Sequence, residues 1–137
     1  MRHEGESKGL FGLRGRRLLV VEDNPLCAEA VREWLQICGA TVDTAATVRD
    51  ALARIRRHAP DLVVLDVLLP DGTGWDLLDR IRKASPGGRG VPTVAITGAP
   101  PSTVAGPAGE HGVRHVITKP IAPEAFAAAL TDCLNSA

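Results

Sequence analysis

The chain has 137 residues, 45% of them hydrophobic, and its 16 basic and 16 acidic side chains cancel to a formal net charge of +0 at pH 7. That length supports one domain with a full core, and that balance excludes a global field for nucleic acid or an anionic membrane; no local basic stripe suited to reading DNA is found. No apolar run reaches the roughly 18 residues of a membrane span, and Met1-Arg2-His3-Glu4-Gly5 does not open a secretory signal, so a cytoplasmic location is expected.

Residues 1–15 are rich in Gly and charge, lack periodicity, and read as a flexible N-terminal arm ahead of a single domain over 16–137. Leu18-Leu19-Val20-Val21 is a continuous apolar run that ends in Glu22 and Asp23. Runs without alternation mark strands covered on both faces. Asn24-Pro25 then starts a helix, with Asn24 as the cap and Pro25 where a missing N–H costs nothing. Cys27, Val31, Trp34, Leu35 and Cys38 form its apolar stripe, and Gly39 stops it. Trp34 is read as packing, and Cys27, Cys38 and Cys133 as buried free thiols, since no Cys-x-x-Cys pair exists.

Thr41 to Ala45 is an edge-like strand with a mixed face. Thr47 with Asp50 resembles a capping box for a helix carrying Val48, Ala51, Leu52 and Ile55. Arg54, Arg56, Arg57 and His58 close that helix as a solvated end matched to its dipole. The central run, Leu62-Val63-Val64-Leu65, leads straight into Asp66 and a turn-rich loop, Val67 to Gly74. A third helix spans Trp75 to Lys83, and Thr93 to Thr97 makes a fourth strand. Gly98 to Gly109, with Pro107 inside, is expected to give a short, broken or mobile helix, because interior Pro costs about 3 kcal/mol and Gly nearly 1 relative to Ala. Val113 to Thr118 is the fifth strand; Lys119-Pro120 follows, and Pro123 opens a last helix.

Strands and helices alternate five times, which predicts an α/β fold with a parallel sheet, helices on both faces and right-handed crossovers. Carboxyl ends of parallel strands are where such sheets bind ligands, and here they gather Glu22, Asp23, Asp66, Thr97 and Lys119. Three carboxylates close together raise one another's protonation unless neutralised. A divalent ion with hard oxygen ligands and retained water, Mg²⁺, fits them beside one lysine. Such a site suits phosphoryl transfer, with Asp66 on the middle strand as nucleophile.

The acid pair after the first strand, Asp66-x-x-x-Pro70-x-x-x-Gly74 after the third, Thr97 after the fourth and Lys119-Pro120 after the fifth together resemble the response regulator receiver domain of two-component signalling. The likeness covers about residues 16 to 135. It implies a doubly wound, flavodoxin-like (βα)5 fold, sheet order 2-1-3-4-5, and phosphorylation of Asp66 by a sensor histidine kinase or histidine phosphotransfer protein with bound Mg²⁺. It further implies that Asp23, Asp66 and the Leu68 backbone carbonyl ligate the ion, Glu22 acts through water, Lys119 and Thr97 bind the phosphoryl group, and Pro120 is cis. Such a domain catalyses only its own phosphorylation and dephosphorylation.

This chain departs from the family pattern at three places. Val116 stands where relatives carry a Tyr or Phe that swings on activation, and His115 beside it points to the opposite face and is read as an ordinary exposed histidine. The Pro- and Gly-rich fourth helix weakens the surface through which many relatives form homodimers. Leu68 and Ala99 occupy the positions that influence water attack on the acyl phosphate; neither orients water, so a long-lived phosphoryl group is expected. A pseudo-receiver that binds a partner without phosphorylation is the alternative, and a phosphohydrolase lacks an acid–base partner beside Asp66. The sequence ends one helix after Lys119, so its signal is expected to leave by contact with a downstream protein, unless the chain is a piece of a hybrid kinase or larger regulator.

Overall fold

The computed structural model describes residues 12–85, 87 and 90–136. Five parallel strands form one sheet: β1 (Arg17–Val21), β2 (Thr41–Ala45), β3 (Leu62–Asp66), β4 (Thr93–Thr97) and β5 (His115–Thr118), in the order β2-β1-β3-β4-β5. The helices are α1 (Pro25–Ile37), α2 (Val48–Arg57), α3 (Gly74–Ala84), α4 (Pro101–Glu110) and α5 (Pro123–Ser136). The doubly wound topology expected from the sequence is present. No described helix is long and apolar enough to cross a membrane.

The unbroken apolar runs have a simple origin. Successive strand residues point to opposite faces, and here both faces are covered. Leu18, Val20, Leu62, Val64, Val94 and Ile96 pack with Val31, Leu35, Phe126 and Leu130 under α1 and α5. Leu19, Val21, Val63, Leu65 and Ala95 pack with Ala51, Leu77, Ile81 and Val104 under α2, α3 and α4. All five residues of β3 and of β4 are buried, whereas β2 at the edge keeps Thr41 exposed. Trp34 is a packing residue, its ring centroid 5.6 Å from that of Phe126.

Helix starts follow local chemistry. The Asn24 side chain accepts from the Cys27 N–H at 3.0 Å and Pro25 follows as the first helical residue. Thr47 accepts from the Asp50 N–H at 3.0 Å, while a reciprocal capping box occurs at the next helix, between Thr73 and Asp76.

Most of the arm expected over residues 1–15 lies outside the described residues. Leu13, assigned to it, is fully buried against the α1 and α5 side of the core, so the packed body reaches back at least that far. Of the two forms expected for the fourth helix, weakened or broken, the structure has the weakened one: Pro101–Glu110 is one continuous helix. Pro100 and Pro101 occupy its start, where missing N–H groups cost little, and only Pro107 sits inside. No side chain caps its first turn. Its far end closes on Gly112, φ +75°, which brings the Val113 N–H back to the Ala108 carbonyl at 2.8 Å. Val113 is thereby held by the helix end, which is why β5 begins at His115.

Candidate functional site: an acidic edge with one lysine

Each site residue is set in place by the ladder it ends. The Glu22 N–H extends the pairing of β1 with β2 by donating to the Ala45 carbonyl at 2.9 Å, which turns its side chain into the sheet's carboxyl edge. There Glu22 Oε2 accepts from the Asn24 N–H at 3.1 Å. Glu22 is 2% exposed and Asp66 6%, whereas Asp23 is exposed. Lys119 is positioned by its own N–H, which donates to the Thr97 carbonyl at 2.8 Å, and the peptide bond that follows, to Pro120, is cis. Its Nζ donates to Asp66 Oδ2 at 3.1 Å and lies 2.7 Å from Glu22 Oε1.

The loop after Asp66 is built to hold this geometry. The Leu68 N–H donates to Asp66 Oδ1 at 3.2 Å, while the Leu68 side chain is 64% exposed. Leu68–Leu69 and Gly72–Thr73 pair as a small antiparallel ribbon that returns the chain to β3. At Gly74 a Cβ would stand 2.8 Å from the Asp66 carbonyl oxygen and 2.9 Å from Leu65 Cγ, so only glycine fits this return. Asp71 anchors the loop sideways, accepting from the Val48 and Arg49 N–H groups at 2.8 and 3.1 Å at the start of α2. The Val48 bond leads the causes that hold the Asp71 carboxyl below its usual range. Sequence reasoning missed this contact, because it joins positions 23 residues apart.

Electrostatics divide the carboxylates. Burial raises Asp66 above the ordinary aspartate value, neighbouring Glu22 adds to that, and Lys119 only partly offsets it. For Glu22 burial also pushes upward, but Lys119 and further hydrogen bonds outweigh it and the net shift is downward. Burial works against the Lys119 ammonium, yet the two carboxylates more than compensate and its pKa rises. Cys27 adjoins this group: burial and Glu22 push its thiol up to about 11. It is half-buried, and Cys38 and Cys133 are buried; all three thiols are free.

Glu22, Asp23 and Asp66 each offer a carboxylate oxygen, all within 4.8 Å of one another. Glu22 Oε1 is buried and, although it faces the lysine, makes no aligned hydrogen bond. A hard-oxygen trio with one open, exposed member fits Mg²⁺, which keeps several waters and takes few protein ligands. Thr97, 1% exposed, ends the neighbouring strand; its hydroxyl accepts from the Ala99 N–H at 3.0 Å and is turned to its own loop.

Val116 packs on the α4 side of the sheet. His115 takes the other face, as alternation requires, but it is not simply exposed: its Nε2 lies 2.7 Å from Asp132 Oδ2 on α5.

A family model described as the response regulator receiver domain matches residues 18–131. The chain is 42% identical over 80 residues to "Probable transcriptional regulatory protein TcrX" of Mycobacterium tuberculosis, covering 58% of this chain and 33% of that protein. It is 39% identical over 106 residues to protein-glutamate methylesterase/protein-glutamine glutaminase 1 of Anaeromyxobacter dehalogenans, covering 76% of this chain and 29% of the relative. The chain thus spans about a third of the length of each. Among solved structures, a CheY-like response regulator receiver domain protein from Methanospirillum hungatei JF-1 superposes with a TM-score of 0.78 at 27% identity, covering 90% of this chain and 95% of the other.

Proposed function

This chain belongs to the response regulator receiver domain family, and on that premise we propose that Asp66 accepts a phosphoryl group from the phosphohistidine of a sensor histidine kinase or histidine phosphotransfer protein. As a receiver domain it is not a conventional enzyme. The observation that carries the reading is the buried Asp66 carboxylate at the end of β3, 3.1 Å from Lys119 Nζ and grouped with Glu22 and Asp23.

An oxygen of Asp66 attacks phosphorus in line; an O–P bond forms while the P–N bond breaks, its electron pair leaving on the donor imidazole. Asp23, Asp66 and the Leu68 backbone carbonyl would hold Mg²⁺, with Glu22 reaching it through water. When bound, the ion neutralises the carboxylates and shields the arriving phosphoryl oxygens. Lys119 exchanges part of its contact with Asp66 for one with the phosphoryl group, which keeps its charge matched. The Thr97 hydroxyl leaves the Ala99 N–H for a phosphoryl oxygen, and that drags the Gly98–Ala99 turn and the start of α4. The moved surface then meets a downstream protein. With Leu68 and Ala99 flanking the site, no side chain there orients a hydrolytic water, and the acyl phosphate is long-lived.

Val116 favours a second reading, a phosphorylation-independent interaction module, since no aromatic lever couples Thr97 to the outer surface. One experiment separates the two. Intact mass after treatment with a small phosphodonor should rise by one PO₃ unit in wild type only with Mg²⁺, and never in Asp66→Asn. Equal labelling of the variant, or none of the wild type, removes phosphotransfer and leaves the binding module. Loss of the label within seconds would overturn the long lifetime.

A further inference from the structure

At the other edge of the sheet lies a cleft of about 260 Å³ between the end of α3, residues 90–93 leading into β4, and the turn at 111–114 before β5. Thr93 in its wall is three positions below Ile96, the register partner of Asp66, roughly 10 Å along the strand. The two sites are therefore distinct.

The cleft's charge is one-sided. Arg82 and Arg114 line it with His111, and among the described residues no carboxylate does. Arg82 is half-buried and donates a hydrogen bond from Nη2 to the His111 carbonyl at 3.1 Å; among the described residues it has no carboxylate partner. Arg114 has only a loose pairing, 3.7 Å, with Asp132, which is shared with His115. Asp79 sits 3.2 Å from His111 Nε2. Among the described residues, the two guanidinium groups in this concavity thus share one loose ion pair, Arg114 with Asp132, and Arg82 has none.

The backbone leaves room for a guest. A Cβ at Gly90 or Gly112 would stand 3.8 Å from Arg82 Nη2, in the space beside the guanidinium, and Gly112 at φ +75° is a position that other side chains rarely adopt. Leu78, Val91 and Val113 supply an apolar wall. Guanidinium forks match oxyanions with parallel N–H donors, and two of them on different elements suit an anion with three terminal oxygens better than a carboxylate.

The geometry points to a second binding site in this cleft, for a small phosphate monoester: the phosphate held by Arg82 and Arg114, a short apolar body against Leu78, Val91 and Val113. Its volume lies just below the usual range for ligand pockets, which limits the guest to a headgroup and a few carbons.

The test is a titration of the Mg²⁺-free protein, followed by amide chemical shifts, with inorganic phosphate, monobutyl phosphate and butanol as probes. The site requires saturable shifts at Gly90, Gly112 and Arg114, with monobutyl phosphate about tenfold tighter than phosphate and butanol silent. Arg82→Gln and Arg114→Gln should each weaken binding at least about tenfold. Arg114 is 61% exposed, so its replacement leaves the fold intact and keeps the test decisive if Arg82→Gln misfolds. Absence of saturable shifts in the cleft, indifference to Arg114→Gln, or shifts confined to Asp66 and Lys119 would each overturn the site. Equal affinity for phosphate and its ester would overturn the apolar subsite and with it the ester as ligand.

Discussion

Two regions joined at Thr97 are built on opposite principles. On one side, the acidic edge holds Glu22, Asp66 and Lys119 buried or half-buried, each tied to a strand end and to one another. On the other, α4 has no side-chain cap, carries Gly106, Pro107 and Gly109 inside, and buries only Val104 and Ala108 among its described side chains. What restrains α4 lies at its far end, where His111 stacks on Trp75 with centroids 5.4 Å apart and pairs with Asp79. The chemistry is over-determined and the element beside it is marginal. That difference suits a switch: a few hydrogen bonds gained at Asp66 can displace a weakly held helix, but not a rigid one.

Removing the charge match at the stiff side should have the largest effect. Lys119→Met leaves Glu22 and Asp66 without their cation, and breaking a buried pair this way costs about 3–5 kcal/mol. The lysine side chain is 29% exposed, so solvent screening lowers the expected loss to about 2 kcal/mol. Urea unfolding of the Mg²⁺-free protein measures it, and added Mg²⁺ should recover part of the loss. An unchanged midpoint would mean that the acids are not held in tension.

Asp66→Asn probes the same tension from the other side. Burial and Glu22 raise the Asp66 carboxyl in the fold, so ionising it costs stability. That cost is absent below the unfolded value of about 3.9 and complete once pH has passed the folded value. Glu22 has the reverse sign: its stabilising share is present above its unfolded value and disappears as pH falls through the lowered one. Asn removes the first effect and leaves Glu22 its larger partner, Lys119, so most of the second remains. The variant should therefore gain on wild type as pH rises from about 3 to about 7, and Mg²⁺ should narrow the gap by stabilising wild type. A gap that shrinks with pH in the Mg²⁺-free protein would contradict the raised carboxyl.

How far the sequence showed this contrast depends on the range of the interaction. Strands β1 and β3 were legible because burial on both faces leaves no polar residue to interrupt them, and each ends in a carboxylate whose placement the parallel topology then dictates. Asn24-Pro25 was legible because a cap acts within three residues. Thr73 and Asp76 carried the same local signal and were overlooked beside the glycines of that loop. Asp71 was not readable: its partners, Val48 and Arg49, belong to another element, and nothing near Asp71 announces them. The fourth helix was legible in its weakness but not in its continuity. The intrinsic costs of Pro107 and the glycines are visible in the sequence, whereas the offsetting contacts, Val104 and Ala108 packed against the sheet and the Gly112 turn, are visible only in the fold.

The smallest expected effect tests the soft side directly. Gly106 is exposed, lies within α4 at an ordinary helical φ, and a Cβ there would meet nothing within 4 Å. Gly106→Ala should therefore gain roughly 0.5–1 kcal/mol of local stability, by reducing the freedom of the unfolded chain without adding a contact. Hydrogen exchange should slow in α4 and stay unchanged in β3, because the two regions open separately. Phosphoryl uptake on Asp66 should keep its rate, while binding of any partner that reads a displaced α4 should weaken, since the displacement must now overcome a firmer helix. If exchange slows equally across β3, the helix is part of the rigid body, and the division between a stiff site and a yielding readout fails.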